Sequence, residues 1–161
     1  SSLWTCAADG SELRQLTGYQ HRVSHFAWFD DQRILVSTDR CGAMGFVMVT
    51  AGRDDMEPLP SGLLPADGHA TYSPDRRWLL CDAYPAKDDP RSPLMLIDLA
   101  KQQRIDLCHL SSPVAYRGDV RCDLHPRWLP DGTGFTIDSI HAGDRQIYRI
   151  ELSEALRQRQ I

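Results

Sequence analysis

One spacing recurs three times along the chain and limits what it can fold into. The segments HFAWFDDQRILVST from His25, HATYSPDRRWLLCD from His69 and HPRWLPDGTGFTID from His125 each open on a histidine. Each places an aromatic residue three positions on (Trp28, Tyr72, Trp128) and an aspartate six positions on (Asp31, Asp75, Asp131). Turn-tolerant residues follow, and then an apolar run: ILV, WLL or FTI. Histidines at 25, 69 and 125 are separated by 44 and 56 residues, close to the length of a four-stranded propeller blade.

Each copy reads as strand, tight turn, strand. Proline fixes φ, aspartate bonds its own backbone and glycine accepts positive φ, so Ser-Pro-Asp and Pro-Asp-Gly set the turns. Third strands follow at GFVMVT (Gly45 to Thr50), PLMLIDL (Pro93 to Leu99) and RQIYRIEL (Arg145 to Leu152). A fourth is expected at RIDLCHL. The fold class is therefore all-β, a segment of β-propeller of about three four-stranded blades. Residues 1–18 supply the outer strands of one blade, 19–60 and 61–112 a blade each, and 113–152 the inner strands of the last. The tail, 153–161, is expected to be helical.

About three blades cannot close a ring, since closed propellers have typically four to eight. An open arc leaves sheet faces uncovered. The chain is thus expected to be the C-terminal part of a longer protein, or to form a homo-oligomer that completes the ring.

The 161 residues carry a net charge of −4 with scattered basic residues, which gives no nucleic-acid surface. No apolar run approaches the roughly 20 residues that span a bilayer, so no membrane partner is expected. Five cysteines, odd in number and never spaced C-x-x-C, argue against a disulfide framework and a zinc knuckle. Reduced thiols and a cytoplasmic setting are the expectation.

The first strand of each repeat is expected to line the central channel, where His25, His69 and His125 would converge. Imidazoles suit Mn, Fe, Ni or Zn, and three of them leave coordination positions for a substrate. The competing reading makes them structural pins that hydrogen-bond neighbouring strands. Trp28, Tyr72 and Trp128 read as packing residues, and the three aspartates as turn residues. Asp82 and Asp138, thirteen residues after their histidines, are expected to bond across the blade. Two long polar loops, Ala83 to Pro93 and Ser111 to Arg121, are placed to carry binding groups. Tyr116, Arg117 and Arg121 are the expected substrate contacts there. Arg22, Arg40 and Arg127 join Arg121 as guanidinium groups able to fork onto a carboxylate.

The segments YSPDRRW and WLPDGTGFTIDS with RQIYRIEL resemble the blades of TolB-type propellers. GHATYSPDRRWLLCDAYP and YRGDVRCDLHPRWLPDGTGFTIDSIHAGDRQIYRIEL resemble, more narrowly, the oligogalacturonate lyase family. That resemblance implies a seven-bladed fold of which this chain matches the C-terminal part. It implies manganese held by histidines and a glutamine, and β-elimination of short acidic pectin oligosaccharides. His69 and His125 match metal ligands of the family, and His25 matches a third active-site histidine. His25 and Arg40 are accordingly the candidate catalytic groups, and Arg127 a substrate contact. A further ligand histidine and the glutamine of the family fall at Arg127 and Cys122, and its proposed arginine base falls upstream of residue 1. The alternative function is a non-catalytic TolB-like scaffold for protein interaction.

Overall fold

A computed structural model describes residues 1–152 apart from 54, 61, 114 and 117. The expected C-terminal helix and Arg117 lie outside the described residues. Among the described residues, thirteen strands form four antiparallel sheets in which sequence neighbours pair. Strands β1 (Trp4–Thr5) and β2 (Arg14–Gln15) make a ribbon. Next come β3 (Val23–Trp28), β4 (Arg33–Thr38), β5 (Gly45–Thr50) and β6 (Met56–Pro58) as one sheet in that order. The third sheet runs β7 (Ala70–Tyr72), β8 (Trp78–Asp82), β9 (Arg91–Asp98) and β10 (Gln103–Ser111). The fourth holds β11 (Arg127–Trp128), β12 (Gly134–Ser139) and β13 (Gln146–Glu151). These are all-β meanders of the blade type.

The chain divides into two compact units, Ser1–Gly68 and His69–Ile161. In the first, Leu3 and Leu16 from the ribbon cover Ile34, Val36, Val47 and Val49 of β4 and β5. In the second, Trp78, Leu80, Leu94 and Leu96 meet Leu124, Phe135 and Ile137 across the two sheets. The continuous apolar runs of β8 and β9 follow from this position: a middle strand covered on both faces has no polar side. Edge strand β3 instead alternates half-buried and exposed residues.

Aspartates nucleate the hairpin turns as expected, with one change of position. Asp75 accepts the Ser73 hydroxyl and the Arg77 N–H, and Asp131 accepts the Thr133 N–H and hydroxyl. In the first repeat Asp30, not Asp31, takes the N–H groups of Gln32 and Arg33. The turn DDQR is one residue shifted because Arg33 fixes the Asp30 carboxylate from its side chain at 2.7 Å. Gly132 carries φ +69°, the left-handed conformation the Pro-Asp-Gly turn requires.

The equivalent tryptophans part company. Trp128 packs edge-on against Phe135 and donates its indole N–H to the Thr71 carbonyl of β7 at 3.2 Å. Trp28 is 50% exposed. Within its own unit the sheet before β3 is the two-stranded ribbon β1–β2.

Candidate functional site

Only one of the repeat histidines lies within a strand. His25 is in β3, while His69 and His125 stand just before β7 and β11. Their departure from the ladder has a local cause, the buried carboxylate of Asp82 at the end of β8. It accepts the backbone N–H of His69 at 2.6 Å and that of His125 at 3.1 Å. It also meets the His69 ring at Nδ1, 3.0 Å away. His125 takes φ +40° to reach this position, and its Nδ1 lies 3.4 Å from Asp138. The two imidazoles end 4.1 Å apart, tilted by 59°.

Asp123 completes the group. His69, Asp123 and His125 each offer a ligand atom, all within 4.8 Å of one another. The left-handed φ of His125 turns the chain just before β11, and Asp123 lies beside His125 there. Asp123 is a ligand candidate that the repeat pattern does not mark. Burial works to raise the Asp123 carboxyl, but it is held below its ordinary value. Hydrogen bonds from Arg121, with the charge of Arg121, His69 and His125, outweigh the burial. Arg121 donates to it from Nε and Nη2 at 2.5 and 2.8 Å.

These residues fit a divalent transition metal. Two imidazoles and one carboxylate form a mixed N and O donor set that suits Mn, Fe or Zn and leaves positions open. The Asp82 carboxylate lies against Nδ1 of His69, which leaves Nε2 to face a ligand. Asp138 stands behind His125 at a longer distance, 3.4 Å from Nδ1. A carboxylate behind each imidazole is the arrangement that orients histidines for a metal.

The remaining expected site residues fall as follows. His25 Nδ1 lies 2.9 Å from the Ser24 hydroxyl and 3.0 Å from Asp67. Burial works to raise the Asp67 carboxyl, but bonds from His25, Ser24 and Ser37 hold it below its usual value. Arg40 donates from Nη1 to the Leu16 carbonyl at 3.3 Å. Arg127 is exposed on β11 and donates to the Pro126 carbonyl. Cys122 is buried, and burial pushes its thiol up, away from the thiolate a metal would need. Tyr116 is exposed in the loop between β10 and β11. The structure thus brings together His69 and His125, adds Asp123, and gives neither Cys122 nor Arg127 a place in the donor group.

No family model and no curated protein matches the chain. Solved structures do. TolB from Acinetobacter baumannii superposes with a TM-score of 0.74 at 21% identity, over 94% of this chain and 35% of that one. An oligogalacturonate lyase from Vibrio parahaemolyticus gives 0.69 at 19% identity, over 94% of this chain and 42% of that one. Oligogalacturonate lyase in complex with manganese gives 0.69 at 18%, over 95% and 42%. The chain therefore has the fold of a TolB-like β-propeller and spans less than half the length of these neighbours.

Proposed function

We propose that the protein is a metal-dependent lyase of the oligogalacturonate lyase type, acting on acidic oligosaccharides by β-elimination. The observation that carries this reading is the convergence of His69, Asp123 and His125 within 4.8 Å, with Asp82 and Asp138 behind the imidazoles. Similarity in fold to a lyase solved with manganese supports manganese as the metal. In the reaction, the hydrogen on the carbon next to the uronate carboxylate leaves to a base. The bond from the following carbon to the glycosidic oxygen breaks, and that oxygen takes up a proton. The products are an unsaturated uronate and a shortened sugar.

His69, His125 and Asp123 would hold the divalent ion, which supplies positive charge against the substrate carboxylate and so acidifies the adjacent C–H. Asp82 and Asp138 would aim both imidazoles at the ion. Arg121 neutralises Asp123 and sets its orientation. His25, whose tautomer Asp67 fixes, and Arg40 are the proposed catalytic groups; replacing either by Ala should spare metal binding and abolish turnover.

A second reading, a non-catalytic scaffold, is favoured by the fact that each of the three donors also has a protein partner. The test is metal content and turnover on the same preparations. Protein loaded with Mn should hold one ion per chain and convert digalacturonate to a product with the ultraviolet absorbance of a conjugated double bond. His69→Ala and His125→Ala should lose both. Absence of bound metal at excess Mn, with these variants merely less stable, would establish the scaffold instead.

A further inference from the structure

The second unit carries a cleft of about 370 Å³, within the range of small-ligand sites. Its walls are the connection from β8 to β9 and the loop after β10, through Tyr84, Pro85, Lys87, Pro113, Tyr116 and Arg121. Backbone bonds from Ala83 to the Pro93 carbonyl and from Ser112 to the Pro90 carbonyl tie the roots of both walls. Proline in each wall stiffens the backbone that shapes it.

The charges facing the cleft are cationic. Lys87 and Arg121 line it, while the nearby Asp89 is taken by Arg91 at 2.8 and 2.9 Å. Arg121 uses Nε and Nη2 on Asp123, two of its five donors, which leaves the end of the guanidinium for a second acceptor. The same guanidinium stacks 4.5 Å over the Tyr84 ring, and Tyr84 meets His69 edge-on at 6.1 Å. One arginine and one tyrosine thus belong both to the cleft and to the surroundings of the His69, Asp123, His125 group. Two tyrosine rings offer apolar faces of the kind that pack on the C–H faces of a pyranose.

We propose that this cleft binds a uronate residue of the oligosaccharide, its carboxylate on Arg121 and Lys87 and its ring against Tyr84 and Tyr116. This rests on the function proposed above and places a sugar-binding subsite beside the metal group. Arg121 is the shared element, joining the carboxylate of Asp123 to that of the sugar.

Calorimetric titration with trigalacturonate, in the presence of a chelator and again with Mn, tests it, with the neutral galactose trisaccharide as control. Trigalacturonate should bind in both conditions and the neutral sugar at least tenfold more weakly. Lys87→Ala with Tyr116→Ala, both at the surface, should weaken trigalacturonate at least tenfold and leave Mn binding unchanged. Wild-type affinity in that double variant, or equal affinity for the neutral sugar, would overturn the subsite even if Mn binds and elimination proceeds. Cleft-dependent trigalacturonate binding by a protein that takes up no Mn would uphold the subsite and overturn the metal-dependent lyase.

Discussion

His25 and His69 occupy the same place in the repeat and meet a carboxylate through the same ring nitrogen at 3.0 Å, yet the two aspartates do different jobs. Asp67 accepts the His25 ring and the N–H of its own neighbour Gly68. Asp82 is 2% exposed and accepts two backbone N–H groups as well as a ring. Asp67 serves side chains and its own neighbour, whereas Asp82 ties together two chain segments and one imidazole. A repeated residue type therefore sets the hydrogen bond, and the neighbours supplied by the next sheet decide whether that bond becomes part of a donor group. His69 has Asp123 and His125 within ligand distance.

Removing each aspartate breaks the comparison most directly. Asp82→Ala leaves partly buried N–H donors at His69 and His125 without their acceptor, and at about 1–3 kcal/mol for each such group it should cost about 3 kcal/mol. Asp67→Ala, partly solvated, should cost roughly 1 kcal/mol. Urea unfolding of both variants reads the difference; equal losses would mean that Asp82 organises no more than Asp67 does. The tryptophans give a contrast of similar size. Trp128→Ala removes a packed indole and its bond to Thr71, an expected loss of about 3 kcal/mol. Trp28→Ala, at a half-exposed indole, should stay within about 0.5 kcal/mol.

The same contrast shows what could be read in the sequence. Strand positions, hairpin turns and the all-β class were legible because apolar runs, Pro-Asp-Gly and the His, aromatic, Asp spacing are local signals. Gly45–Thr50 was placed at its observed bounds, and the roles of Asp82 and Asp138 as cross-blade acceptors were visible from their fixed distance to the histidines. Asp123 was not, because it belongs to no repeated position and becomes a donor only through the turn of backbone at His125. The exposure of Trp28 was also hidden: the motif marks an indole that packs, and only tertiary structure says what is there to pack on. The charge of Arg121 is visible in the sequence, whereas its clamp on Asp123 depends on the conformation of the loop after the turn at Gly118–Val120.

Metal affinity sharpens the comparison further. Asp138→Asn weakens the support behind His125 without touching a donor atom, and such changes typically lower metal affinity 10–100-fold. Asp67→Asn should leave the affinity of the second unit for Mn unaltered. Competition titration with a chromophoric chelator measures both. A fall of equal size in the two variants would show that His25 is a ligand alongside His69 and His125, which would revise the donor group.

Acid sensitivity is the smallest expected effect and separates the turn aspartates by the chemistry of their partners. The Arg33 side chain first, then the Gln32 N–H, hold Asp30 down at about 2. Asp131 is lowered by the backbone and hydroxyl of Thr133, without a cation bonded to it. For both, the folded value lies below the unfolded one, near 3.9. Their contribution is therefore fully present above about pH 5 and is lost as pH falls through 4 toward the folded values. Asp98 follows the same sign: burial opposes ionisation, but the Lys101 N–H and Arg77 outweigh it. Unfolding curves should coincide from pH 7 to about pH 5 and weaken below about pH 4. Carboxyl NMR titration should place Asp30 near 2, and Arg33→Ala should return it toward the ordinary aspartate value while leaving Asp131 in place. Added salt should raise the Asp30 midpoint more than that of Asp131, because a hydroxyl and an N–H are screened less than an exposed ion pair. If the two aspartates respond alike to salt and to Arg33→Ala, the turn geometry, not the arginine, sets both.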